Sequence, residues 1–223
     1  MRTSVVVGSI VVACVGTVAF AQTKSLGGLL GTAAEVKTAV KGLNPETVAN
    51  LQAAYNGESN ASATYTAFAK KAAEEGYPSV AALFRAASAS EAIHAKKFAA
   101  VLTSGDVEPK ATVGKPEVGT TEENLKVAIA GETAESKEIY PKAGAAATAK
   151  GDVAAAKAFS NALAAESKHA QFYTEAAANL LSWKDAGKTF LLCPTCGYTI
   201  SSADTLKNCP LCGVARDAFE TFK

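Results

Sequence analysis

Two short Glu-x-x-His segments carry the most specific chemistry in this sequence. Glu91 stands three residues before His94, and Glu166 stands three residues before His169. On a helix, this spacing directs the carboxylate and the imidazole toward the same face, about one turn apart. Apolar residues at helical intervals around both segments predict that this face is buried, where an unpaired charge is costly. A bound metal ion explains the presence of two such segments, whereas one segment alone would be better explained by a solvated helix surface.

Further glutamates extend the set of candidate ligands. Each half of the chain holds one Glu on the helix that precedes its Glu-x-x-His segment, and Glu135 is an additional carboxylate on the same face as Glu132. One Glu from each of two helices, with Glu-x-x-His from two others, is the arrangement of di-iron carboxylate bundles. The predicted ligands are Glu58, Glu91, His94, Glu132, Glu135, Glu166 and His169.

The charges of this set also favour metal. Five carboxylates and two ferrous ions leave a net charge of −1, and two ferric ions with an oxo bridge keep the same balance. Without metal, clustered carboxylates would repel one another and several would take up protons. The sequence therefore predicts two non-haem irons, bridged by oxo and carboxylate groups.

A second metal site is indicated by four cysteines near the C-terminus. Cys193 and Cys196 form one C-x-x-C pair and Cys209 and Cys212 form another, each with a Pro inside and a Gly after it. Four thiolates at this spacing suit a tetrahedral site for iron or zinc. Two disulfides are the alternative in an exported protein. Residues 189–223 are too few to build a core of their own, so a metal would have to hold them together.

The remainder of the chain predicts an all-α body. It is rich in alanine, the best helix former, and has only 7 prolines. Residues 44–182 show four helical stretches in two pairs, with a short break inside each pair and a long connection, 103–119, between the pairs. Short breaks make antiparallel neighbours, and a long connection can cross the length of a bundle. We therefore expect a four-helix bundle followed by a small metal-bound domain.

The sequence indicates that the two helix pairs are copies of one repeated unit. Gly57-Glu58 recurs as Gly131-Glu132, and Phe84, Glu91 and His94 recur at a nearly constant separation as Phe159, Glu166 and His169. Two alanine-rich segments would match by chance mainly at alanine positions, whereas these matches are at glycines, aromatics and charged residues. The duplication predicts that the ligands of the two halves face each other.

The N-terminus is typical of an export signal. Arg2 is followed by an uncharged apolar stretch, and Ala19-Phe20-Ala21 provides the small residues that precede a cleavage site. We predict a signal peptide over 1–21 and a leader over 22–43, hence a periplasmic or otherwise extracytoplasmic protein. An uncleaved membrane anchor and lipidation at Cys14 are the alternatives. A formal net charge of +1 with no basic run argues against nucleic acid as a partner.

These motifs together resemble the rubrerythrin family over about residues 44–223. Besides the Glu-x-x-His pairs, the resemblance rests on Ala130-Gly131-Glu132-x-x-Glu135, on Ile139-Tyr140-Pro141 and on the CPTCGY and CPLCG segments. It implies a ferritin-like di-iron bundle and a rubredoxin-like domain whose cysteine-bound iron passes electrons on. It also implies reduction of hydrogen peroxide to water, with Tyr65 and Tyr140 lining the di-iron site. On the residues alone, each tyrosine could equally be a core aromatic.

The resemblance carries two further expectations. One iron is expected to exchange Glu135 for His94 on reduction. The subunits are expected to form a head-to-tail homodimer, in which the cysteine domain of one subunit approaches the bundle of the other, and the electron donor is unidentified. The chain departs from the family in its predicted export and in Leu191, where the family often has an aromatic residue. A ferroxidase or iron-handling protein, and an electron carrier or zinc-stabilised module without turnover, are the alternative functions.

Overall fold

The computed structural model describes Gly42–Lys223. The predicted signal peptide and nearly all of the predicted leader therefore lie outside the described residues. Among residues 42–223, no helix combines the length and the apolar composition needed to cross a membrane. The described part consists of a four-helix bundle and a small domain of three short strands, here called the four-cysteine domain (189–223).

The first helix pair forms where the sequence predicts it. Helix α1 spans Pro45–Glu74 and helix α2 spans Pro78–Ser104. The Asn44 side chain accepts a hydrogen bond from the Glu46 amide, which caps α1 and leaves Pro45 in the first turn, where its missing N–H costs nothing. Gly76, at φ 78°, makes the turn that brings α2 back along α1.

The second pair is also preceded by the predicted cap. A long connection leads to Thr120, which exchanges hydrogen bonds with Glu123 in a capping box. Helix α3 then spans Thr121–Ala134, a five-residue π-helix spans Glu135–Ile139, and α4 spans Tyr140–Lys150. Gly151, at φ 78°, turns the chain into α5, Val153–Ala178, and a short α6, Leu180–Trp183, follows.

The π-helix corrects the expectation of an uninterrupted third helix. Its wide turn is closed by the Tyr140 N–H, which donates to the Glu135 carbonyl. The path from Glu132 to Tyr140 is one residue longer than the equivalent path from Glu58 to Tyr65, and a π turn absorbs one extra residue without a break. Pro141 follows directly. Proline has no backbone N–H to donate, and at this position the α-helical hydrogen bonds are already interrupted by the π turn.

The bundle core consists of two aromatic clusters related by the repeat. Tyr65, Phe84 and Tyr173 lie with their ring centres 5.0–5.9 Å apart on one side of the glutamates. Their counterparts on the other side have ring centres 5.0–5.8 Å apart. Those counterparts are Tyr140, Phe159 and Phe98. The two clusters enclose the polar centre of the bundle between apolar walls, so the ligands are shielded from water.

The four-cysteine domain is a three-stranded antiparallel sheet with two cysteine loops. Strands β1, Phe190–Leu192, β2, Thr199–Ser201, and β3, Glu220–Phe222, are ordered β2-β1-β3. Phe190 from β1 packs against Phe172 and Trp183, with ring centres 5.3 and 6.2 Å away. The domain therefore packs directly on the bundle of its own chain.

Candidate metal centre

Two groups of ligand atoms lie side by side in the middle of the bundle. Helices α2 and α5 provide ligands to both groups, whereas Glu58 from α1 belongs to the first group alone and Glu132 from α3 to the second alone. In each group, four potential ligand atoms lie within 4.8 Å of one another. The first group is Glu58, Glu91, His94 and Glu166, and the second is Glu91, Glu132, Glu166 and His169. All six side chains are buried, none more than 2% exposed.

Glu91 and Glu166 belong to both groups. They are repeat-equivalent residues on α2 and α5, and each carboxylate offers one oxygen to either side. A carboxylate shared in this way can bridge two metal ions. The shared pair therefore makes this a di-metal centre rather than two separate sites, with one terminal glutamate and one histidine for each ion.

Both imidazoles face the carboxylates with the same ring nitrogen. The Nδ1 of His94 lies 2.9 Å from Glu166 Oε1, and the Nδ1 of His169 lies 3.0 Å from Glu166 Oε2. An Nδ1 lone pair can bind a metal only when the proton is on Nε2. The environment of the two Nε2 atoms therefore decides how firmly each ring is held.

Glu135 lies at the edge of this centre and in neither group. The π-helix places it half-buried beside Tyr140, whose hydroxyl is 3.5 Å from Glu135 Oε1. Burial, with Glu166 and Glu132 nearby, raises the pKa of Glu135 to about 9. Of the seven ligands predicted from the sequence, six are thus brought together, and the seventh is within reach of the first group.

Two tyrosines donate hydrogen bonds across the bundle to the terminal glutamates. The Tyr65 hydroxyl is 2.7 Å from Glu132 Oε1, and the Tyr140 hydroxyl is 2.5 Å from Glu58 Oε1. Burial and the neighbouring carboxylates raise the pKa of both tyrosines well above the usual value, so both stay protonated. Each therefore orients one carboxylate, as repeat-equivalent residues should.

Tyr173 was missed by the sequence analysis. It is fully buried beside His169, with the ring centres 6.4 Å apart, and its hydroxyl has no hydrogen-bond partner among the described residues. Its repeat equivalent is Phe98, which has no hydroxyl. This difference between the halves was visible in the repeat alignment, but only the structure places the hydroxyl beside the centre.

Electrostatics shows why metal fits this centre. Burial, and then the neighbouring carboxylates, raise the pKa of Glu58 well above its usual value and that of Glu132 to about 8. Burial also acts to raise the pKa of Glu166, but the facing His94 and His169 lower it to about 2. Among the described residues, Glu58 Oε2 and Glu132 Oε2 are buried without a hydrogen-bond partner, and the oxygens of Glu166 face only the two imidazoles. Cations placed among these atoms would satisfy all of them.

The four-cysteine domain holds the second metal site. The Sγ atoms of Cys193 and Cys212 are 3.4 Å apart, as are those of Cys196 and Cys209. A disulfide needs about 2.05 Å, so these are four free thiols around a common centre, as in a tetrahedral site of four sulfurs. The structure therefore disfavours the two-disulfide alternative. Gly197, at φ 83°, and its counterpart in the second loop, at φ 78°, allow the tight turns behind the sulfurs.

The two metal sites meet at Gly197. A Cβ at this position would lie 2.5 Å from Nε2 of His94, so only glycine allows the backbone to approach so closely. The Gly197 carbonyl accepts a hydrogen bond of 2.6 Å from the Ser90 hydroxyl on α2. Since Cys196 directly precedes Gly197, one peptide unit and one imidazole separate a cysteine sulfur from the carboxylates. The linker has little apolar surface and did not indicate where this domain packs, and the family resemblance implied packing on the bundle of a partner subunit.

The metal-free protein should lose thermal stability as pH rises from about 5 to about 8. Folded Glu58 and Glu132 hold protons that a glutamate in the unfolded chain releases near 4.5. Burial acts to lower the pKa of His94 and His169, but the nearby carboxylates outweigh it and raise the pKa of both. In all four cases the folded state binds more protons, so stability present at low pH is lost as pH rises through the folded pKa values.

A series of melting temperatures at constant ionic strength tests this expectation. Glu132→Gln, which mimics the protonated acid, should flatten the pH dependence. A melting temperature of the metal-free protein that rises over the same range would contradict the proton-loaded site.

Comparison with known proteins agrees with this geometry. A family model described as rubrerythrin matches residues 49–177, and one described as the rubrerythrin rubredoxin-like domain matches 192–220. Nigerythrin of Nitratidesulfovibrio vulgaris is 39% identical over 190 residues, covering 85% of this chain and 91% of that protein. Rubrerythrin of Porphyromonas gingivalis is 33% identical over 196 residues, which cover 85% of this chain and 95% of that protein.

Solved structures show the same likeness. Fully reduced, all-ferrous nigerythrin superposes with a TM-score of 0.74 at 35% identity, covering 85% of this chain and 91% of that one. A bacterioferritin from Mycobacterium tuberculosis superposes with a TM-score of 0.58 at 22% identity, covering 64% of this chain and 89% of the bacterioferritin chain. It shares the ferritin-like fold of the bundle. With its di-metal bundle and its four-cysteine site, this chain belongs to the rubrerythrin family.

Proposed function

We propose that this protein is a peroxidase that reduces hydrogen peroxide to water at the di-metal centre. Each turnover takes two electrons and two protons for every peroxide and releases two water molecules. The observation that carries the proposal is the contact of Cys196-Gly197 with His94, because it offers a short route for electrons from the four-cysteine site to the centre. An attached electron-transfer site has no evident use in pure iron storage, which is why we prefer a peroxidase to an iron-storage protein.

Two irons in the centre would supply both electrons for cleavage of the O–O bond. Glu58, Glu132, His94 and His169 would hold them from outside, and Glu91 and Glu166 from between. Tyr65 and Tyr140 keep their protons and hold the terminal carboxylates in position. The apolar clusters on both sides exclude bulk water, so the reacting atoms stay within reach of these few polar groups.

We place the entry of peroxide at a cavity beside His94. It has a volume of about 380 Å³, lies between the bundle and the four-cysteine domain, and is lined by His94, Cys196 and Cys212 among others. Lys97 and Lys157 stand at the same cavity. Peroxide is small and neutral, so a partly apolar entrance between the two metal sites admits it.

His94 and Glu135 are proposed to alternate as ligands. The structure has His94 inside the first group and Glu135 outside it, the set expected for the ferrous pair. Nε2 of His94 contacts the Gly197 backbone but has no hydrogen-bond partner among the described residues, so no hydrogen bond fixes this ring from outside. When the metals gain charge on oxidation, the anionic Glu135 should become the better ligand. In the metal-free protein, burial and the neighbouring carboxylates raise the pKa of Glu135 to about 9, so it holds a proton there at neutral pH.

Export through a signal peptide at 1–21 and a head-to-tail homodimer are further proposals. Export bears on the electron donor, since a donor outside the cytoplasm would have to reach the exposed Cys212 edge of the four-cysteine domain. The contact at Gly197 lies within one chain, so electron transfer of the proposed kind does not require a dimer.

Cys196→Ser should abolish electron transfer and spare the bundle. We expect loss of the thiolate-to-iron absorption and of NAD(P)H-coupled turnover with a reductase, while the chemically reduced variant still consumes one equivalent of peroxide. Thr221→Val, on the exposed side of β3, is a matched control in the same domain and should behave as wild type. Wild-type turnover by the serine variant would exclude the proposed role of the four-cysteine site.

Substitutions of His94 and Glu135 should affect opposite oxidation states. His94→Ala should still bind two irons but react with peroxide much more slowly, because the ferrous pair loses a ligand. Glu135→Ala should raise the reduction potential, because the ferric pair loses an anionic ligand. Stopped-flow kinetics and potentiometry test the two effects. Structures of both states in which His94 always binds and Glu135 never does would exclude the exchange.

A mixture of two inactive variants decides between transfer within and between chains. Cys196→Ser lacks the four-cysteine site, and Glu91→Ala lacks a bridging carboxylate. After co-refolding, we expect no recovery of NAD(P)H-coupled turnover, because each chain serves its own bundle. Clear recovery of turnover would instead show that one subunit reduces its neighbour. Sedimentation of the same samples reports whether a dimer is present.

A further inference from the structure

The two histidines of the centre differ in what holds their outer nitrogens. Nε2 of His169 lies 3.1 Å from the Thr199 hydroxyl, whereas Nε2 of His94 has no hydrogen-bond partner among the described residues. Thr199 belongs to β2 of the four-cysteine domain and is fully buried. A residue of the second domain therefore contacts a ligand of the first, although the repeat makes the two histidines equivalent.

The direction of this hydrogen bond follows from the position of the metal ligands. Nδ1 of His169 faces the other ligand oxygens, 3.0 Å from Glu166 Oε2, so in a metal-bound form it would carry the lone pair that binds the ion. The proton is then on Nε2, which donates to the Thr199 oxygen. The Thr199 hydroxyl proton can in turn point to the Gly197 carbonyl, 3.4 Å away.

The same carbonyl ties the contact to the rest of the bundle. Gly197 O accepts from the Ser90 hydroxyl at 2.6 Å, and Ser90 is next to Glu91 on α2. His169 on α5 and Ser90 on α2 thus reach the same loop of the four-cysteine domain. An outer hydrogen bond of this kind fixes the tautomer and the orientation of a metal-bound imidazole.

We propose that Thr199 is a positioning residue for His169, and that the packed four-cysteine domain thereby completes the di-metal centre. The four-cysteine domain then has a second role besides electron transfer: it holds one imidazole ready to bind metal. The inference depends on the di-metal centre but not on peroxide being the substrate. It also explains the asymmetry of the histidines, since His169 is held and His94 is free to leave.

The consequence is a link between the two domains in metal binding. Loss of an outer hydrogen-bond partner typically lowers metal affinity by about 10- to 100-fold. We expect a decrease in that range for Zn²⁺ at the di-metal centre when the Thr199 hydroxyl is removed. The rest of the ligand set, including Glu91 and Glu166, is unchanged by that substitution.

Thr199→Ala and Thr199→Ser test this inference as a pair. Both remove the buried methyl group, and only the serine keeps the hydroxyl, so their difference isolates the hydrogen bond from packing. Zn²⁺ is titrated into the di-metal centre against a competing chelator, with iron kept in the four-cysteine site. The visible absorption of that iron shows in each variant that the domain is folded. Thr221→Ala, on exposed β3 of the same sheet, is the matched control.

A second measurement is independent of affinity. In the fully zinc-loaded protein, the His169 Nε2 proton should be visible by nitrogen-15 NMR and exchange slowly with water. We expect the alanine variant to lose this protection together with affinity, and the serine variant to keep both.

Two results would overturn the inference. One is an alanine variant with a folded four-cysteine domain, wild-type zinc affinity and a protected Nε2 proton. The other is a serine variant as weak in zinc binding as the alanine variant, since the loss would then come from packing and not from the hydroxyl. Neither outcome bears on peroxidase activity, which the Cys196→Ser variant tests separately.

Discussion

The structure depends on the burial of four carboxylates and two imidazoles in one small volume between four helices. In the absence of cations, this arrangement is tolerable only if protons are shared among the side chains, as the raised pKa values of Glu58 and Glu132 show. Bound cations replace those protons and satisfy oxygens that lack hydrogen-bond partners. The aromatic clusters on either side make this possible, because they hold the helices apart and keep water out.

The duplication gives the centre its symmetry, and small departures from it give the two metal positions different properties. The extra residue absorbed by the π-helix brings Glu135 toward the first group, where the other half of the chain has Ala61. A hydroxyl on Tyr173 lies beside His169, where the other half has Phe98. A symmetric pair would offer two equivalent positions, whereas these differences give the two ligand groups unequal surroundings, as the proposed exchange of His94 and Glu135 requires.

The four-cysteine domain adds a third difference. It packs through Phe190 on the bundle and reaches the histidines through a loop whose Gly197 has no side chain to block the approach. One imidazole receives a hydrogen-bond partner from Thr199 and the other receives only the glycine backbone. The same loop carries Cys196, so the contact that brings the two sites close together also shapes the ligand environment.

Local spacing along the chain was enough to predict the helices, their caps, the duplication, the cysteine site and the ligand types. Glu-x-x-His on one helix face and C-x-x-C with a following Gly need no knowledge of distant residues. The folded chain was needed to show that Glu91 and Glu166 are shared, that Glu135 stands outside both groups, and that the four-cysteine domain packs on its own bundle. These features depend on helix crossings, on a π turn and on contacts such as His169 with Thr199, which join residues far apart in the chain and leave no periodic signal in it.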